Sequence, residues 1–250
     1  MREYLRGFIT AARLLTIVPV TGKESEHQSS ALYWFPVLGC LIGGLQYGIA
    51  YVAGVLSFDW PEGIAVILLG VGALLTGGLH LDGLADWADS LGCVRDRETM
   101  LRIMKDSRSG TFGVIALLLV LLAKWAAITR LLSCQQSIFI IVAAVISRTM
   151  MVDLAVRFPY ARPDGGTGRD IITAAGRRHL ITAYTICFCL LFLFLRIQGI
   201  ICLMSGMVVS YSLGAWSNRK LGGITGDILG ACSELVETTV LLNAAFLAGL

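Results

Sequence analysis

The chain has 250 residues, 56% of them hydrophobic and only 15% charged, with a mean hydropathy of +0.76. Soluble domains carry roughly 25% charged residues, so this composition excludes an ordinary soluble globule. It predicts an all-α, polytopic integral membrane helix bundle, one domain over residues 1–250. The net charge of +3 is too small to argue for nucleic acid, and the seven cysteines include no CxxC pair, which argues against a zinc site or a disulfide framework.

Residues 1–20 mix apolar positions with Arg2, Arg6 and Arg13 and predict an interfacial helix. No cleavable leader is expected, because the first apolar stretch is short, contains Arg13 and lacks a small-x-small cleavage pattern. A polar loop follows at 21–30. Seven apolar runs are then long enough to be read as spans: 33–56, 64–81, 112–132, 138–156, 181–195, 200–216 and 228–250. The fifth is short. The seventh carries Glu234 and Glu237, and its sequence leaves open whether it crosses the membrane or lies along it. The 28 glycines fall largely inside these runs, as expected where helices pack through small residues.

The basic residues are unevenly spread. Alternate connections hold sixteen of the 20 Lys and Arg, whereas the opposite connections hold only Arg130 and Arg196. By the positive-inside rule the N-terminus faces the cytoplasm, in a cell inner membrane, and every polar motif falls on the cytoplasmic side. A transporter more often keeps its ionisable residues near the membrane midplane.

Residues 77–92 read GGLHLDGLADWADSLG. On a helix Asp82, Asp86 and Asp89 share one face, since residues four and seven apart point nearly the same way. Three carboxylates on one face repel unless hydrated or bridged by a hard cation, and Mg²⁺ joins carboxylates to substrate phosphates. This predicts a metal-dependent phosphoryl-transfer site at a membrane surface; the plainer alternative is a solvated acidic helix end. His80 points away from the aspartate face, as a polar interfacial residue, a supporting donor or a base.

Residues 104–113, MKDSRSGTFG, bring Asp106, Ser107 and Arg108 just ahead of a span, a pattern suited to phosphate oxygens or to capping the span through Ser107, Ser109 or Thr111. Residues 157–169, RFPYARPDGGTGR, form a shaped loop in which Arg157 and Arg162 meet phosphate or lipid headgroups. Arg157 also has Asp153 one helical turn away. Residues 222–230, GGITGDILG, place Asp227 at the start of the last run, either as a fourth carboxylate of a two-metal site or as a favourable helix-start charge. Lys124, Arg148 and Asp153 lie inside runs, where pairing or snorkelling accounts for them.

Together these pieces resemble the cobalamin synthase family, the adenosylcobinamide-GDP ribazoletransferases. The matching stretches are HLDGLAD at 80–86 followed by Asp89, MKDSRSGTFG at 104–113, FPYARPDG at 158–165 and GGITGDILGA at 222–231. The resemblance implies attack by an oxygen of α-ribazole, or of its 5′-phosphate, on the cobinamide-side phosphate of adenosylcobinamide-GDP, with GMP leaving and adenosylcobalamin or its 5′-phosphate forming. It implies Mg²⁺ held by Asp82, Asp86 and Asp89, with Asp227 as a further ligand or the base. Arg108 and Arg162 would hold the diphosphate, and Asp106 would orient the attacking hydroxyl or bind metal. The lipid bilayer and the two substrates are the expected partners, and a homo-oligomer stays open. Two other readings compete: a CDP-alcohol phosphatidyltransferase, whose pattern has Arg where this chain has Asp86, and a non-catalytic transporter or corrinoid scaffold.

Overall fold

The protein is seen here as a computed structural model, which describes residues 2–92, 96–106, 108–162, 165–166, 168–194 and 196–249. Its described residues form helices, joined by short turns and a single isolated parallel bridge between Tyr160 and Ile224.

Helix α1 (Arg2–Leu15) lies on a 3-10 helix (Gln28–Trp34), with Phe8 edge-on to Trp34 at 5.4 Å between ring centres. Helix α2 (Phe35–Val55) follows, and α3 (Pro61–Thr76) returns beside it. The apolar run expected as one straight span at 64–81 is broken. Gly77 and Gly78 both adopt left-handed backbone, with φ of 59° and 70°. Two such residues in succession end the helix at almost no steric cost. The chain turns through 90° into α4 (Leu79–Leu91), so the aspartate-bearing segment packs across the bundle instead of prolonging α3.

A short α5 (Arg97–Ile103), capped by Asp96, leads to α6 (Thr111–Ser133) and α7 (Phe139–Arg157). Helix α7 is apolar nearly all round and buried along most of its length, as a helix without a polar face must be. It packs against α2 and supports the later helices: α8 (Arg169–Thr173), α9 (Arg177–Phe194), α10 (Arg196–Leu221) and α11 (Gly226–Leu247).

Among the described residues five helical stretches are long and apolar enough to cross a membrane (28–55, 111–133, 139–157, 197–221 and 226–247), or six if the bent α3–α4 pair is one span. The chain is a multi-pass membrane protein. The last apolar run is one 22-residue helix of spanning length, whereas α9, which carries the expected run 181–195, is not among the five. The connections sort to two ends. Residues 57–61 and 132–137 line one cavity at one end, and the motif-bearing connections gather at the other.

Candidate active site

The site is built where α4 crosses the first turn of α11. A Cβ at Gly83 would come within 2.8 Å of the Asp227 carbonyl oxygen and 3.1 Å of its Cα, so glycine alone lets the two backbones approach this closely. Asp82 precedes Gly83 and Asp86 lies three residues after it, so Asp227 sits beside both. Asp86 feels the charges of Asp82, Asp227 and Asp89, opposed by Arg162. Four acids separated by up to 145 positions in sequence therefore share one electrostatic neighbourhood.

Asp227 is held from below and above. Thr225 caps α11 by accepting from the Ile228 N–H at 3.3 Å, and its own hydroxyl donates to Asp227 Oδ2 at 3.2 Å. Arg162 donates from Nη2 to the same oxygen at 2.6 Å. The loop carrying Arg162 is placed by main-chain pairing. Ile224 N–H donates to Pro159 O at 2.8 Å, and Ala161 N–H donates to Ile224 O at 2.9 Å. Arg97, on α5, fastens the same corner by donating to the carbonyls of Leu221 and Ala161.

Among the described residues two donors at this corner make no well-aligned hydrogen bond: Arg162 Nε and the Tyr160 hydroxyl, which lies beside Arg162. Burial pushes the Tyr160 hydroxyl above the usual tyrosine value and Arg162 only partly offsets it, so it remains protonated. A buried donor without an acceptor is costly, and an anionic oxygen satisfies both. Tyr160 was not singled out from the sequence, although it lies inside the FPYARPDG stretch.

Asp89 has a second set of contacts at the far end of the acid face, and the other expected residues lie away from it. Asp89 accepts from the Gly110 N–H at 2.6 Å and the Gly113 N–H at 2.8 Å, one on each carboxylate oxygen. It thereby caps α6 from another helix, and Ser109 and Thr111 do not cap it. Ser107 lies outside the described residues. Arg108 and Asp106 pair with each other at 2.7 Å on the surface, where Arg108 is 87% exposed. Hydrogen bonds from Arg108 hold Asp106 down at about 2, which leaves it a carboxylate at any working pH. Arg157 donates to Asp153 at 2.7 Å one turn back, and Tyr184 donates to the other oxygen of Asp153 at 3.0 Å. His80 is 1% exposed, and Gly230 of α11 lies against its backbone.

Glu234 and Glu237 belong to a separate buried group. Lys124 of α6 donates to Glu234 and Glu237 at 2.8 Å each, and Arg148 of α7 pairs with Glu237. Two cations and two acids form a neutral cluster that ties α6 and α7 to α11.

Among the described residues no three His, Cys, Asp or Glu side chains converge closely enough to hold a metal by themselves. Mg²⁺ commonly takes one or two protein carboxylates and completes its shell with water and substrate phosphates. The oxygen-only donors Asp82 and Asp86, one turn apart with Asp227 opposite, fit that requirement.

A family model described as cobalamin-5-phosphate synthase matches residues 7–245 of the chain. A protein of Chlorobaculum tepidum named adenosylcobinamide-GDP ribazoletransferase is 48% identical over 250 residues, 98% of both chains. Proteins of the same name from Chlorobaculum parvum and Syntrophobacter fumaroxidans are 46% and 39% identical, each covering 96% of this chain and 95% of its own length. No solved structure matches the chain.

Proposed function

Because the chain belongs to the cobalamin-5-phosphate synthase family, we propose that this transferase joins the cobinamide phosphate of adenosylcobinamide-GDP to a ribose hydroxyl of α-ribazole or its 5′-phosphate. The phosphorus–oxygen bond to the GMP moiety breaks, a bond to the ribose oxygen forms, and the hydroxyl proton passes to a carboxylate of the acid face. The observation that carries this reading is the crossing at Gly83, where three acids, Asp82, Asp86 and Asp227, meet Arg162 and the unpartnered donor of Tyr160.

Phosphoryl transfer asks a protein mainly for positioning and charge neutralisation. Arg162 Nε and Tyr160 Oη supply donors to a diphosphate. Asp82 and Asp86, with Asp227, would hold Mg²⁺, which when bound neutralises charge on the phosphate oxygens. Arg162 keeps Asp227 aimed at the same point. Asp89 serves the site indirectly, by fixing α4 to the start of α6. Arg108 and Asp106, exposed and mutually paired, are free to swing toward a large substrate lying over this face.

We assign this end of the bundle to the cytoplasmic side of an inner membrane, on the asymmetry of the basic residues, and count α9 as a seventh crossing because it joins the two ends. Cys134, at the opposite end beside the α6–α7 turn, is then labelled by an impermeant thiol reagent only from outside; labelling from the cytoplasmic side reverses the orientation.

The test of the function is purified protein in nanodiscs given adenosylcobinamide-GDP and α-ribazole 5′-phosphate, with and without Mg²⁺. Chromatography should find GMP and the joined corrinoid in equal amounts, and only with the metal. GMP without joined product makes the protein a hydrolase. Folded protein that yields neither overturns the assignment.

A further inference from the structure

Beside the acid face lies a cavity of about 250 Å³ between α1, α4, α7, α8 and α11. Asp82 and Asp227 stand on its wall with Arg13, whose guanidinium is taken up by Val20, Gly22 and Glu24, while Leu15, Phe35, Met151 and Ile171 make the rest mostly apolar. One polar side chain in that wall stands apart. His80 is 1% exposed, and among the described residues neither ring nitrogen has a hydrogen-bond partner. Its neighbour Leu81 lines a different and much smaller cavity beside the Lys124–Glu234 cluster, and His80 itself lies near enough to feel the charges of Arg148, Glu237 and Lys124. Unpartnered buried polar atoms cost free energy unless something satisfies them.

The volume is slightly below the roughly 300 Å³ at which small-molecule sites begin. It holds a one- or two-ring planar group and excludes a corrin. The walls ask for an apolar body with a single hydrogen-bonding atom on the side of His80. The carboxylates ask for something reactive at the same end. A nucleoside meets all three conditions: a flat base, a free ring nitrogen, and ribose hydroxyls one bond away.

We propose that this cavity seats the heteroaromatic base of the acceptor nucleoside. His80 donates to the ring nitrogen not attached to ribose, and Phe35 and Met151 pack on the flat body. The ribose then emerges beside Asp82 and Asp227, where its hydroxyl meets the phosphate held by Arg162. The inference rests on the ribazole-transfer reading and adds where the acceptor enters and which residue selects it. It also gives the double glycine turn at 77–78 a role in selection, because that turn is what brings His80 under the base.

The test uses full-length protein in nanodiscs and two readouts. In the first, benzimidazole fluorescence is titrated with protein, without donor or metal. Wild type should bind saturably, and His80→Ala should weaken binding about five- to tenfold, the range for loss of one hydrogen bond. His80→Gln, which keeps an N–H donor, should recover part of it. Ile171→Phe, checked for an unchanged elution volume, should block binding by filling the cavity. In the second, benzimidazole should compete with ribazole 5′-phosphate and not with adenosylcobinamide-GDP, and His80→Ala should raise the acceptor KM while leaving the donor KM in place.

Wild type that turns over but shows no competition, or His80→Ala with an unchanged acceptor KM, overturns the proposal. Tightly held lipid that mass spectrometry finds in wild type and not in Ile171→Phe, with no benzimidazole binding, gives the cavity to an acyl chain. Saturable benzimidazole binding lost in His80→Ala, from protein that releases no GMP, sustains the base site and rejects the transfer reaction.

Discussion

Arg162 Nη2 lies 2.6 Å from Asp227 Oδ2, while the Nε of the same guanidinium has no partner among the described residues. One arginine thus restrains a carboxylate and keeps a donor in reserve for an oxyanion. Arg162→Ala removes both functions. The donor-substrate KM should rise at least tenfold and kcat should fall, because truncating one member of a largely buried charge pair typically costs 2–5 kcal/mol. Arg162→Lys restores a charge without the fork and should recover little of the loss. Steady-state kinetics with each substrate varied in turn decides this; unaltered constants return Arg162 to holding the loop.

The approach of α4 to α11 at Gly83 leaves no room for a methyl group. Gly83→Ala should push the helices apart, lower activity at least tenfold and cost about 1–3 kcal/mol of stability. Gly70, on α3, has nothing within 4 Å of an added Cβ, and Gly70→Ala should leave both quantities near wild type. Equal effects of the two substitutions in melting and turnover assays would detach the site from this crossing.

Asp82 and Asp89 share a helix face, and of the two Asp89 also caps α6. Asp82→Asn should abolish product and weaken the apparent Mg²⁺ affinity while the melting temperature holds. Asp89→Ala should cost about 1–2 kcal/mol, as the loss of a helix cap does, and Asp89→Asn less, since an amide oxygen still accepts. Mg²⁺ titrations of turnover separate the two: a large change in metal requirement for Asp89→Asn would make Asp89 a ligand.

The cluster of Lys124, Glu234, Arg148 and Glu237 is neutral only when complete. Lys124→Met leaves two acids facing one cation and should destabilise the protein by about 3–5 kcal/mol. Adding Glu234→Gln rebalances the charge and should restore most of that. Thermal melts in detergent measure both. Double variants no more stable than Lys124→Met alone would show that the lysine acts through packing and not through charge.

Much of the architecture was written in local pattern. The long apolar runs became helices, and the four polar motifs became neighbours because each lies at the same end of the spans that flank it. The exceptions have a common cause. A continuous apolar run hid the bend at Gly77–Gly78, since hydropathy does not register backbone sign. Asp89 joins the acid face at the spacing the helix predicts, but its further partners, the N–H groups of Gly110 and Gly113, carry no side-chain signal. Arg157 found Asp153 at the helical spacing that joins them. Glu237 reads as an obstacle to a membrane span until Lys124 and Arg148 arrive from two other helices, a meeting only tertiary packing decides. Gly83 is one glycine among 28, and nothing in its immediate neighbours says that another backbone lies against it.

The two main-chain bonds between Pro159, Ala161 and Ile224 join segments more than sixty positions apart. They make the arginine loop and the aspartate turn one register-locked piece, in which a shift on either side displaces the other by a whole residue. Length therefore matters here as much as identity. Pro159, Ala161 and Ile224 present no reactive group, and what they contribute is the main-chain pairing. An inserted or deleted residue beside any of them would slide Arg162 past Asp227, so the least forgiving spacing in the chain runs through residues that do no chemistry.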